Sequence, residues 1–505
     1  MKTKLSIAFH VIYALFFIYV LGNVFVAYTA QGDGAYIIIG TAALLLLTAG
    51  AVFLTKKKMP VISDKSINQI YACVSLVMLA LQIYLVFRLK TVQNADAYAV
   101  FKAADNYAHT GSWDNMYQGI EKITHYFDRY PNNWSILVLL GWFLRIVYLI
   151  IGEVPIVAPL LLNVVLIQAA NFFVFKTSKL IFKSNSKVLL CILIMFTCSP
   201  LYTYSTFVYT DTIGLPFVTG AVYFILRISE ASGKKQTAVY TGAAALFIAV
   251  GYSIKGSIAV IFVAAIIYLF INSSWKKALA ACISFGIAFV FINTLLLNTY
   301  VSKCGIIDKN ELDTYRFPAT HWVMMGLMGD GRFNEQARRY TYYQPDYEAK
   351  KEANIKEIKR LLQQPKSVLI DHFNKKVQLT WSDGRYRVMH YLAKAKPCSA
   401  KYMIIKGKNF YRYAQIYNII MLLAMFISVI SGIVKKDKSH MFLIRLSVFG
   451  LSLFLLMWET TPRYLFNFIP LFLLMETDGL YSLFKLFKKL SAKLTLKTDE
   501  VSETV

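Results

Sequence analysis

Apolar runs of similar length, separated by short polar loops, dominate the chain. They fall at residues 5–27, 35–54, 68–88, 134–152, 155–175, 188–204, 212–230, 237–253, 256–272, 277–298, 413–434, 440–458 and 463–483. Each approaches the ~20 residues that a helix needs to cross a hydrocarbon core. The pattern predicts an all-α polytopic membrane protein with 12–13 transmembrane stretches. The first run, Leu5–Tyr28, is too long for a signal-peptide core and lacks a small-residue cleavage site, so it is expected to stay as a span.

Two polar segments interrupt the pattern. Gln93–Asn133 brings acids and aromatics directly after the third run. Within it Ala97, Val100, Phe101, Ala104 and Tyr107 recur at helical spacing, which predicts a helix lying on the bilayer with its apolar face down. Residues 299–412 far exceed an ordinary connection. Ile355, Ile358, Leu361 and Leu362 mark one face of an amphipathic pattern over Tyr347–Gln364, so a larger α-rich outer segment is expected there. The chain divides into N-terminal spans (1–88), a first extracellular loop (89–133), a transmembrane core (134–298), an extracellular domain (299–412), C-terminal spans (413–483) and a cytoplasmic tail (484–505). The tail is polar after Ser491 and is expected to be unstructured.

Composition and charge then narrow the class. Hydrophobic residues make up 57% of the chain and the mean hydropathy is +0.49, which excludes a soluble protein. The net charge of +26 sits largely in Met1–Lys4, Lys56–Lys58, Lys176–Lys187, Lys234-Lys235, Lys276-Lys277, Lys435–Lys438 and Lys485–Lys497. That is the positive-inside pattern of cytoplasmic loops facing a lipid bilayer, and no nucleic acid is expected as a partner. Basic residues at both termini require an even number of crossings. The conflict with thirteen runs localises to residues 134–175, where one stretch is expected to be re-entrant or packed in the interface. Cys73, Cys191, Cys198 and Cys282 lie in apolar runs; Cys304 and Cys398 bracket the outer segment as either a disulfide or two free thiols.

Several polar residues stand where chemistry could occur. Asp96, just beyond a span, is either a base at the membrane surface or a helix N-cap. Asp211, in Tyr209-Thr210-Asp211-Thr212, is a rim acid, functional by default at that depth, or a cap of the following helix. Lys255, in Gly-Tyr-Ser-Ile-Lys-Gly, either snorkels or meets a phosphate in a cavity. Arg463, in Trp-Glu-Thr-Thr-Pro-Arg-Tyr, can fork onto a phosphate or pair with Glu459. Trp381 and Asp383 in KKVQLTWSDGRYR form an acceptor surface or a plain Ser-Asp-Gly turn. His125, Tyr126, Asp128 and Tyr130 pose the same choice, and a lone His is weak support for metal.

These elements together resemble the GT-C integral membrane glycosyltransferases. They are an acid in the first outer loop, a loop closing on Tyr130-Pro131-Asn132-Asn133, the Tyr-Thr-Asp-Thr rim, the Lys255 break and the late Pro462-Arg463-Tyr464. The resemblance runs from Asp96 to Leu474 and is to a Gram-positive branch related to protein mannosyltransferases and lipid A aminoarabinose transferases. It implies a polyprenyl-phosphate sugar donor, transfer at the outer face of the cell membrane, Asp96 as the catalytic carboxylate of the first loop, Asp211 as the second carboxylate at the rim, and Arg463 at the donor phosphate; on physical grounds Asp96 is the expected base and Lys255 a second cation at that phosphate. Tyr130, Asn132, Asn133, Trp381 and Asp383 are the expected acceptor or sugar contacts. Many relatives carry adjacent acids in the first loop. Here Ala97 follows Asp96, so no cofactor is firmly implied and a divalent cation is left open. The expected acceptor is a teichoic acid, a wall polysaccharide or a protein of the cell envelope; residues 300–412 hold 22 Lys and Arg against 11 Asp and Glu, which suits an anionic one such as a teichoic acid or another phosphate-bearing wall polymer. The expected reaction is single displacement with inversion. The alternatives are a flippase or transporter for a lipid-linked saccharide, which predicts repeat symmetry, and a polymerase or ligase using a diphosphate-linked donor.

Overall fold

The computed structural model describes residues 2–54 and 62–502, and among these every regular element is helical. The Lys56–Lys58 cluster lies outside the described residues. Among the described residues, ten helices could cross a membrane by length and composition, or eleven if Asn185–Thr197 and Pro200–Thr206, bent by 55°, count as one. Two of the expected stretches take other forms. Gly256–Asn272 is a shorter apolar helix, and the last stretch opens as the tight turn Pro462–Phe468 before the helix Ile469–Ser502. That last helix corrects the expectation of an unstructured tail: no Gly or Pro follows Gly479, so nothing in the backbone stops it.

Contacts between helices order the two ends of the bundle. Lys179 donates to Asn68 at 3.2 Å and lies 3.9 Å from Asp64, so the helix Ala158–Phe182 runs antiparallel to Asp64–Leu89. Its other end is fixed by Asn163, whose amide donates to the carbonyls of Tyr204, Ser205 and Phe207. Those residues adjoin a large cavity, described below, and that end of the bundle is called here the cavity side.

The helix Trp134–Ile151 starts on the cavity side too, since Asn133 lines the cavity. Only residues 152–157 join it to Ala158. Fully extended, such a link reaches about 20 Å, short of the ~30 Å hydrocarbon core. Both ends of the helix therefore lie on one side. It runs beside Ala95–Thr110: Tyr126 bridges Asp96 and Asn133 at one end, and Arg145 donates to the Ala108 and His109 carbonyls at the other. Gly141 is needed for this closeness, because a Cβ there would meet the Trp113 ring at 2.4 Å. By length and composition alone this stretch, as Pro131–Ile151, is one of the ten candidate spans counted above. The packing also changes the reading of the first loop. Ala97, Val100, Ala104 and Tyr107 are buried against protein and do not face lipid; an amphipathic pattern marks a buried face without saying what buries it.

The segment 299–412 is α-rich and held by two buried lysines, Lys376, which ties it to the bundle, and Lys350, which ties it to itself. Lys376, 1% exposed, donates to the carbonyls of Gly326 and Leu456, and burial pushes its ammonium down to about 7. Lys350 donates to the Thr314 and Gln344 carbonyls. His125, stacked on Tyr315 and 3.2 Å from both Asp128 and Glu311, joins the first loop to this segment. Cys304 and Cys398 are free thiols.

On the opposite side, Arg445 pins four helices. It is 1% exposed, reaches Asp437 at 2.6 Å and Asp478 at 2.8 Å, and donates to Ser428 and to His10 Nε2. Removing one member of such a buried group strands the others' charges. Arg445→Met is therefore expected to lower stability by about 3–5 kcal/mol, seen as a reduced thermal midpoint in detergent; an unchanged midpoint would mean that the network is not structural.

Candidate functional site

A cavity of about 580 Å³ opens on the cavity side where the first loop, the Tyr209-Thr210 corner, the Lys255 break, the outer segment and the Glu459–Tyr464 corner meet. Asp96, Tyr130, Asn132, Asn133, Lys255 and Arg463, distant in sequence, all line it. Trp322 and Trp458 stack beside it, with centroids 5.7 Å apart. Mixed aromatic and charged walls of this size suit a polar ligand carrying an apolar tail.

Asp96 is exposed and is not the helix N-cap, a position that Asn94 holds. Its Oδ1 accepts from Tyr126 at 2.9 Å. Tyr126 in turn accepts from Asn133, and Asn133 Oδ1 accepts from Tyr209, each at 2.9 Å. Burial, with Asp96 adjacent, drives the Tyr126 hydroxyl far above the usual phenol range, so it stays a donor. Oδ2 of Asp96 accepts no hydrogen bond from the described residues and is free for a ligand.

Asp211 is neither a solvated rim acid nor a cap. At the start of the short helix Thr210–Ile213 the Tyr209 N–H donates to Thr212 Oγ1 at 3.2 Å, and Asp211, 0% exposed, lies 2.5 Å from Lys255 Nζ and 3.2 Å from Arg463 Nε. The second contact is an ion pair without hydrogen-bond alignment, since both atoms lack a hydrogen-bond partner. Lys255 thus turns inward and does not snorkel, and the Arg463 ion pair is with Asp211, not with Glu459. Four rings surround the Arg463 guanidinium, with Tyr209 at 5.1 Å and Tyr391 at 5.2 Å nearest; Lys255 sits 4.5 Å from the Tyr464 ring. Two cations and one buried carboxylate leave a net positive wall. Glu459 lines the same cavity. Burial pushes its carboxyl up to about 7 against the opposing pull of Arg463, which suits proton exchange near neutrality. His321 is held neutral, pushed down to about 3 by burial and by Arg338.

Residues 5–480 match the family described as "CHIM_prot: Conserved hypothetical integral membrane protein". The chain belongs to that family. No curated protein matches it. The family description names a membrane protein without an activity, so the chemistry rests on the residues.

Two expected contacts lie away from the cavity. Trp381 is buried beside Phe472, because the helix that carries it packs into the bundle. Asp383 organises a turn: Oδ1 accepts from the Arg385 N–H and Oδ2 from the Arg387 N–H. The turn is strained, with Tyr386 at φ 52° and Arg387 at φ 62°, each costing on the order of 1–3 kcal/mol. It is held by Tyr204 donating to the Tyr386 carbonyl and by Gln415 accepting from the Gly384 N–H at 2.8 Å. Glycine is required at 384, where a Cβ would meet the Ala414 oxygen at 2.1 Å. The turn delivers Arg387 to the cavity, a residue that sequence reading passed over within a run of cations. Glu459 was read only as an ion-pair partner; no sequence signal gives its burial. Among the described residues no group of three or more His, Cys, Asp or Glu could hold a metal ion, so the divalent cation left open above gains no ligand set.

Asp211→Asn would leave Lys255 and Arg463 facing each other uncompensated. It is expected to lower stability by about 3–5 kcal/mol, with Lys255→Met added to it recovering part of the loss. Loss of activity at an unchanged thermal midpoint would instead assign Asp211 to the reaction.

Proposed function

We propose that the protein is a membrane glycosyltransferase that moves a sugar from a polyprenyl-phosphate donor to an anionic cell-envelope acceptor at the outer face of the membrane. The observation carrying this reading is one cavity that holds an exposed carboxylate, Asp96, together with a net-positive Lys255–Asp211–Arg463 wall. Transfer from a phosphate-linked sugar needs those two things. An acceptor oxygen forms a bond to the anomeric carbon, its proton passes to Asp96, and the bond from that carbon to the phosphate oxygen breaks with its electrons going to the phosphate. Asp96 Oδ2 takes the proton while Tyr126 steadies Oδ1; Arg463 and Lys255 stabilise the departing charge. One displacement inverts the anomeric configuration. Tyr130, Asn132 and Asn133 line the wall next to Asp96 and would contact the sugar.

Glu459 acts at the leaving side in this reading. A phosphate bound beside it raises its proton affinity further, because like charges oppose its ionisation, so it donates a hydrogen bond in its protonated form.

Transfer of labelled sugar from a panel of polyprenyl-phosphate sugars, with a wall-polymer extract as acceptor, tests the proposal. Asp96→Asn is expected to slow turnover by about 10²- to 10⁴-fold with folding intact; near-normal turnover would remove Asp96 from the mechanism, and no transfer by folded wild-type protein from any donor would reject the activity.

The pH profile separates the two carboxylates. Since Glu459 acts protonated with its carboxyl pushed up to about 7 in the free protein, kcat/KM should fall as pH rises above that region, and Glu459→Gln, which keeps a donor but cannot ionise, should abolish that alkaline limb. A limb that survives in the variant would assign it to another group.

A further inference from the structure

A second cavity of about 280 Å³ lies on the same side of the molecule, and no step of the reaction proposed above uses it. Its lining is rich in guanidinium groups: Arg332, Arg385 and Arg387, with Asp383, Tyr411 and Gln415. Asp383 is the one carboxylate on that lining, and it is already engaged by the N–H groups of Arg385 and Arg387 and by Arg385 Nε at 3.3 Å. Arg332 forks onto Asp330, which does not line the cavity. Arg385 also lies 4.5 Å from the Tyr411 ring, which holds it in place without neutralising it.

Arg332 and Arg385 are each paired with a carboxylate, Asp330 and Asp383, while Arg387 has no ion pair among the described residues and leaves the hollow one positive charge. Planar forks of this kind bind phosphate with two bonds at once and hold it better than an ammonium would. Arg387 lines both this cavity and the larger one, and it donates to the Thr461 hydroxyl at 3.2 Å on the wall between them. The left-handed backbone at Tyr386 and Arg387 is what sets that guanidinium at the junction. Unfavourable backbone retained under such tight local restraint is commonly tied to function.

We propose that this second cavity is an anion subsite that holds a phosphate group of the acceptor, positioning a neighbouring hydroxyl of the same molecule in the larger cavity beside Asp96. The positioning part rests on the glycosyltransferase reading; the anion site does not. The ligand class is a phosphodiester-bearing polymer, with successive phosphates available to bridge Arg332, Arg385 and Arg387.

The test is direct binding of a fluorescently labelled glycerol-phosphate hexamer to the purified full-length protein in neutral detergent, without donor. Saturable binding is expected at low salt, weakened at least tenfold by Arg332→Gln combined with Arg385→Gln. Arg332→Gln alone, at an exposed side chain, should give a smaller loss in the same direction and guards against misfolding of the double variant. No binding by wild-type protein, or equal binding by the double variant, would overturn the proposal. Displacement of the hexamer by phosphatidylglycerol at equal phosphate concentration would reassign the subsite to a lipid headgroup. Intact binding with no sugar transfer from any donor would reject the activity proposed above while leaving the anion subsite standing.

Discussion

The burial of Asp211 between Lys255 and Arg463 is the constraint on which the cavity depends. A fully buried carboxylate is tolerable only when paired, and the desolvation of each ion runs to several kcal/mol. Here one acid joins three separate pieces of chain. Asp211 opens one helix, Lys255 stands at the break between Lys234–Ile254 and Gly256–Ile258, and Arg463 sits in the turn Pro462–Phe468. Because the acid is shared, one positive charge is left over at the cavity wall. The same contact that closes the bundle thus sets the electrostatics of the space above it.

The other half of the site is built by the helix that does not cross. Trp134–Ile151 lies along Ala95–Thr110 and so brings Asn133 to Tyr126 and Tyr126 to Asp96. Had that stretch traversed the membrane, its far end could not have returned to Ala158 on the cavity side through six residues. Non-crossing and site assembly are therefore one structural fact. The chain of hydrogen bonds from Tyr209 through Asn133 and Tyr126 fixes Asp96 at one oxygen only, which orients a carboxylate while leaving it available.

What the sequence revealed follows from what periodicity encodes. Helical class and the approximate positions of the apolar stretches are carried by composition and length, and those were readable. So was the need for one non-crossing stretch in 134–175, since charge placement at the termini demanded it; which of the two it was depended on Asn163 and Lys179 finding partners far away in sequence. Asp211 and Arg463 were recognisable as unusual, yet their pairing was not, because a carboxylate in an apolar context looks the same whether it faces a substrate or a lysine. Trp381 misled for a related reason: an aromatic beside cations reads as a sugar platform, and only packing against Phe472 shows that its ring serves the core. Arg387 was hidden most completely. Its position depends on two consecutive left-handed residues that carry no glycine, a conformation that no residue type in that turn announces.

The two cavities differ in how their charge is compensated, and that difference bears on what each can hold. In the larger one the cations share a buried acid and lie among aromatic rings, so their field is directed and partly spent within the wall. Such a site holds a group whose negative charge grows during reaction better than one already fully charged. In the smaller one Arg332 is paired with Asp330 and Arg385 with a carboxylate that the turn backbone also uses, and Arg387 has no ion pair among the described residues. A standing anion is better matched there than a developing one. Arg387 touches both spaces, so a ligand bound in the smaller cavity alters the field at the edge of the larger. Occupation of one is thereby coupled to charge in the other through a single side chain whose backbone leaves it little freedom to withdraw.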